Sequence, residues 1–129
     1  MTTRRLLLGA LAATACLIGP RAIASERPYT PADFETAQKA GKPILVHITA
    51  PWCTVCAAQK PILAKLEAQP RFKDLQVFDV DFDSRKDVLR RFGATMQSTL
   101  ITFKGEKETG RSVGETQPEW IEGTVEKAL

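Results

Sequence analysis

The chain has 129 residues, 43% hydrophobic and 26% charged, which is room and balance for one globular domain. That excludes a disordered chain, a collagen-like repeat and a polytopic membrane protein, and three cysteines are too few for a disulfide-stapled scaffold. The formal charge of +3 comes from Arg4, Arg5 and Arg21, so residues 25–129 are formally neutral; mixed signs of this kind lack the basic footprint of a nucleic-acid or anionic-lipid binder.

Met1 to Arg5 is a basic start, Leu6 to Gly19 is uncharged, and Ala22-Ile23-Ala24 is an A-x-A pattern. Residues 1–24 therefore read as a secretory signal peptide, cut between Ala24 and Ser25. The apolar stretch is shorter than the roughly 20 residues of a membrane span. Thr3-Arg4-Arg5-Leu6-Leu7 also fits a twin-arginine signal in part, and Ala13-Thr14-Ala15-Cys16 fits a lipobox in part, so both export variants stay open. The expectation is a soluble exported, periplasmic domain over residues 25–129. It keeps two thiols, Cys53 and Cys56, three positions apart in an oxidising compartment.

Within that domain, Thr30-Pro31-Ala32-Asp33 is a helix start: a Thr cap, Pro at the first position and an acid three after the cap. Gly41 and Pro43 end this helix. Ile44 to Thr49 is a nearly continuous β-branched and aliphatic run that fits a strand buried on both faces. Ala50-Pro51-Trp52 breaks it, and a helical pattern runs from Cys53 to about Gln69, with Pro61 inside it as an expected kink. Leu75 to Val80 reads as a second strand. Ser84-Arg85-Lys86-Asp87 opens a helix that ends at Phe92 before Gly93. Thr99 to Phe103 is a third strand, and Lys107 to Val113 a fourth, at the edge. Thr116-Gln117-Pro118-Glu119 caps a last helix carrying Trp120, Ile121, Val125 and Leu129. Phe34, Phe78, Phe103 and Trp120 are expected in the core. The order gives an α/β sandwich with a mixed central sheet of about four strands flanked by helices.

Cys53-Thr54-Val55-Cys56 follows a strand and opens a helix. Unpaired N–H groups and the positive end of the helix dipole stabilise a thiolate there. A thiol one turn later can reach a mixed disulfide formed on the first. This predicts Cys53 as nucleophile and Cys56 as resolving thiol. A C-x-x-C is also half a zinc site, but the domain has no second pair and a single His, so a metal would need a carboxylate or a second subunit. No metal and no other cofactor is expected.

Trp52-Cys53-Thr54-Val55-Cys56 resembles the W-C-x-x-C of the thioredoxin family. Lys42 to Val46 resembles the family's central strand, Pro61 its helix-kinking proline, and Thr99 to Gly105 the strand and turn after its active-site loop. The similarity covers nearly all of residues 30–129. The lead helix ending in Gly41-Lys42-Pro43, with no obvious first strand, looks most like the C-terminal domain of DsbD-type thiol:disulfide interchange proteins. The resemblance implies a three-layer thioredoxin-like sandwich and disulfide exchange through Cys53 and Cys56. It also implies a role for Trp52 in shielding the pair and touching substrate, with Pro51 and Pro61 shaping the site.

Two positions depart from the family pattern. His47 stands where thioredoxins carry a buried acid; it is expected either as a general base for Cys56, through a water if needed, or as a neutral hydrogen-bonded core histidine. Ser98, after Gln97, stands where the family has a cis-proline. A non-proline cis bond costs about 3 kcal/mol, so a trans Gln97–Ser98 bond is expected, with a rearranged substrate-binding loop and the Ser98 hydroxyl available to Cys53.

The expected function is that of an exported thiol:disulfide oxidoreductase, a monomer acting on protein disulfides. Thr54-Val55 lacks a His to stabilise the thiolate further, which favours a reductant recharged by a membrane electron-transfer protein. The competing expectation is a metal- or cluster-binding module using the same cysteines in a dimer.

Overall fold

A computed structural model describes residues 25–129; the leader, its cleavage site and Cys16 lie outside the described residues. The elements in order are β1 (Ser25–Pro28), α1 (Pro31–Lys39), β2 (Pro43–Thr49), α2 (Thr54–Glu67), β3 (Gln76–Asp81), α3 (Lys86–Phe92), β4 (Thr99–Lys104), β5 (Lys107–Val113) and α4 (Pro118–Glu126), with a 3-10 turn at Pro70–Phe72. The sheet runs β1-β3-β2-β4-β5. β3 is parallel to β1 and β2, while β4 is antiparallel to β2 and β5.

The sheet thus has five strands, one more than the sequence pattern predicts. β1 was missed because Ser25-Glu26-Arg27-Pro28 has no apolar alternation. Its backbone pairs with Gln76–Asp79, and Arg27 lies over the Phe78 ring at 4.7 Å and donates to Gln76 Oε1 at 3.0 Å. The pairing, not side-chain burial, makes it a strand.

β2 carries the core on both faces, as a central strand must. Ile44, Val46 and Ile48 pack with Phe34 and Ala37 of α1 and with Val88, Leu89 and Phe92 of α3. Leu45 faces the other way, with Leu63 and Leu66 of α2 and Ile121 and Val125 of α4. By the same alternation His47 points to the α2 side. Helices on both faces give the three-layer sandwich expected.

Local chemistry sets the helix ends. Thr30 Oγ1 accepts the Asp33 N–H at 3.2 Å, as expected for α1. Gly93 ends α3 in the left-handed conformation, φ 61°. The Ser84–Asp87 segment opens α3 as expected, with the Ser84 N–H and hydroxyl both on Asp81 Oδ2 (2.9 and 2.5 Å). Two expectations fail here. Thr116 does not cap α4, because Glu115 Oε1 takes the N–H groups of Thr116 and Gln117 (3.0 and 2.9 Å). Trp120 is 69% exposed rather than core: the buried stripe of α4 is Ile121, Thr124 and Val125, and Trp120 stands beside it. Phe34, Phe78 and Phe103 are buried as expected.

Candidate active site

The site forms where β2 ends and α2 begins. Cys53 is the N-cap of α2, with extended backbone, and its Sγ accepts the Cys56 N–H at 3.1 Å. The sulfur occupies the place of a capping oxygen, so a thiolate there meets both a backbone donor and the positive helix end. The first turn of α2 contains no acid to oppose it. Cys53 and Cys56 form a disulfide with Cα atoms 5.3 Å apart. Cys53 is 5% exposed and Cys56 1%, so the pair is reached from the Cys53 side. Cys56 is the deeper of the two, its Sγ 4.0 Å from the Ile48 carbonyl.

Trp52 is exposed beside the pair. Its ring meets Phe82 edge-on at 6.3 Å and its indole N–H donates to Asp83 Oδ2 at 2.8 Å. Pro51 lies in the exposed turn between β2 and Cys53. Pro61 lies within α2, which continues through it to Glu67.

His47 is buried, and burial pushes its imidazole pKa below the ordinary value, against a smaller upward pull from the Gln59 hydrogen bond. Nε2 lies 3.0 Å from Gln59 Oε1, and Nδ1 lies 3.8 Å from Asp79 Oδ1. Neither nitrogen is bonded to Cys56. In this disulfide form the histidine is a buried group hydrogen-bonded to Gln59. Burial, aided by the neighbouring Glu26, pushes the Asp79 carboxyl up to about 8.

Ser98 is buried, and every peptide bond among the described residues is trans, as expected for Gln97–Ser98. The rearrangement of the loop is a left-handed backbone at Ser98, φ 57°, the one non-glycine residue so placed among those described. Its hydroxyl donates to the Gln97 carbonyl at 2.5 Å, which the left-handed turn brings into reach. The Ser98 carbonyl accepts from Gly114 N–H at 3.0 Å and from Gln59 Nε2 at 3.2 Å.

Gln59 is the site residue that sequence reading missed. It is fully buried. In a polar Gln59-Lys60 step it reads as helix surface, yet Cys56, Gln59, Leu63 and Leu66 follow the helical repeat and form the buried stripe of α2. That spacing was the available signal. Among the described residues no group of three or more His, Cys, Asp and Glu side chains is arranged to hold a metal ion.

A mixed sheet with helices on both faces, carrying a dithiol pair at the N-terminus of the helix after its central strand, defines a thioredoxin-fold thiol:disulfide oxidoreductase. The thioredoxin family model matches residues 26–127. The chain is 36% identical over 86 residues to a thioredoxin of Mycobacterium bovis, covering 66% of this chain and 73% of that one. It is 29% identical over 100 residues to a thioredoxin of Alicyclobacillus acidocaldarius, covering 78% and 94%. The crystal structure of Trxlp from Edwardsiella tarda EIB202 superposes with a TM-score of 0.76 at 44% identity, covering 78% of this chain and 98% of that one. The chain belongs to the thioredoxin family, and its chemistry is thiol:disulfide exchange.

Proposed function

We propose that this oxidoreductase is exported, works as a monomeric reductant of protein disulfides, and is recharged by a membrane electron-transfer protein of the kind that serves DsbD-type domains. The observation that carries the direction is that Cys53 Sγ accepts a single backbone N–H at the helix end, and that Thr54 and Val55 add no charge. A strongly oxidising pair needs a much more stabilised thiolate. Export rests on the basic, apolar and A-x-A pattern of residues 1–24.

The Cys53 thiolate attacks one sulfur of the substrate disulfide, which breaks and releases one substrate thiolate. The Cys56 thiolate then attacks Cys53 Sγ, the mixed disulfide breaks, and the second substrate thiolate leaves. Two electrons pass to the substrate, and the Cys53–Cys56 bond stores the oxidation until the donor reduces it. Trp52, Gln97 and Ser98 form the contact surface for the substrate chain. Any part of His47 in deprotonating Cys56 is relayed by water; a His47→Ala variant with an unchanged pH–rate profile removes it.

The test is the equilibrium reduction potential of the pair, titrated in a thiol redox buffer. A value near about −270 mV supports the reductant, and one near about −120 mV makes it an oxidant. Export is tested separately by locating the full chain after cell fractionation and sequencing its N-terminus; uncut protein in the cytoplasm rejects it.

A further inference from the structure

Gln59 joins four segments at the end of the sheet that carries the dithiol. It sits on α2, one turn after Cys56. Its Oε1 faces His47 Nε2 on β2 at 3.0 Å. Its amide nitrogen donates to the Ser98 carbonyl at 3.2 Å and to the Glu115 carbonyl, in the connection from β5 to α4, at 2.9 Å. Both amide hydrogens are thus used on carbonyls, which can only accept. The reverse orientation would set an oxygen against two oxygens, so the amide has one possible direction. It follows that Oε1 must accept from His47, and that His47 carries its proton on Nε2.

The loop so held is the one beside the reactive pair. β4 pairs with β2 through Ile48 and Thr99, so residues 96–98 lead into the sheet at the end from which β2 leaves for Cys53. Ser98 is held there in a left-handed conformation that a residue with a Cβ adopts only under constraint. The constraints are the Gly114 N–H, the Thr99 hydroxyl on the Met96 carbonyl at 2.7 Å, and Gln59. Met96 and Trp52 are both exposed. A protein substrate reaching a Cys53 that is only 5% exposed must lie across this surface.

We infer that Gln59 is a positioning residue for disulfide exchange, which fixes the 96–98 loop for the incoming substrate chain and, through the same amide, the tautomer of His47. The inference deepens the exchange reading and rests on it. It concerns protein disulfides, since a small disulfide does not span the loop.

Gln59→Met keeps the length and removes all three hydrogen bonds. Displacing a positioning group by about 1 Å can cost about 100-fold, so a KM for insulin raised about tenfold is expected, with dithiothreitol as electron donor. The rate towards hydroxyethyl disulfide should stay within about twofold, because that small probe does not span the loop. Gln59→Glu keeps the acceptor for His47 and loses donors to the loop. It should raise the insulin KM without changing the tautomer. Nitrogen NMR of the parent should show His47 protonated at Nε2 alone, and in Gln59→Met a mixture of tautomers.

Equal loss towards both disulfides in Gln59→Met, or loss towards neither, overturns the inference. So does a parent protonated at Nδ1, a result that needs no variant to fold. A parent that reduces neither disulfide defeats the exchange reading by itself, and the imidazole signal then decides whether the clamp exists.

Discussion

Replacing Asp79 by Asn should change how stability depends on pH, and the sign follows from its surroundings. Burial and Glu26 push the Asp79 carboxyl from 3.8 up to about 8. Between those values the folded protein keeps a proton that the unfolded chain has released, so stability falls as pH rises. His47 acts in the opposite sense: its folded pKa lies below 6.5, so its contribution is lost as pH falls below that value. Glu67, pushed up to about 7 by burial, acts as Asp79 does. The difference between Asp79→Asn and the parent reads Asp79 together with its couplings to Glu26, Glu67 and His47. At about 1.4 kcal/mol per unit, the part of the shift between pH 5 and 9 amounts to at most about 4 kcal/mol. The side chain keeps 29% exposure, and Glu26 on the edge strand can turn to water, which brings the expected effect to about 2 kcal/mol. Urea unfolding of the oxidised proteins should therefore show the variant gaining about 1–2 M in midpoint over the parent between pH 5 and pH 9. Parallel profiles for the two proteins would refute a neutral Asp79 in the folded state.

Three further substitutions test the packing. Ser98→Gly relieves a left-handed backbone at φ 57° and should stabilise by about 1 kcal/mol in urea, while loosening the loop; a net loss would mean the Ser98 hydroxyl bond outweighs the strain. Gly110→Ala puts a Cβ 2.8 Å from the Thr102 hydroxyl, which is buried and bonded to Thr109, and should cost about 1–3 kcal/mol; an unchanged melting temperature would show that β5 can shift. Arg71→Ala removes ion pairs to Glu122 and Glu126 of α4 that are more than a third exposed, so the loss should be under about 1 kcal/mol at low salt and vanish in 1 M salt; a salt-independent loss would point instead to its stacking on Phe72, 4.5 Å away.

The reactive pair was legible because its chemistry is local: a strand, a break, and two cysteines at the start of a helix. The central strands were legible because burial on both faces leaves nearly continuous apolar runs such as Ile44–Ile48, broken only by His47. What the sequence hid depends on partners distant along the chain. β1 exists through its register with Gln76–Asp79. Gln59 is polar and buried because carbonyls 39 and 56 residues away receive its amide. The tautomer of His47 depends in turn on that amide. Ser98 could be read as trans from energy alone, but its left-handed turn needed the surrounding bonds to be seen.

The two outer strands have a consequence for the molecule among its own copies. β1 is four residues long and ends in Pro28, which has no N–H to offer. β5 carries the charged residues Lys107, Glu108 and Arg111 and breaks register opposite Thr102 and Phe103. Neither rim is a flat, apolar template on which another chain could extend the sheet. A protein that acts on disulfide-bearing chains is thereby kept from being joined to them strand by strand.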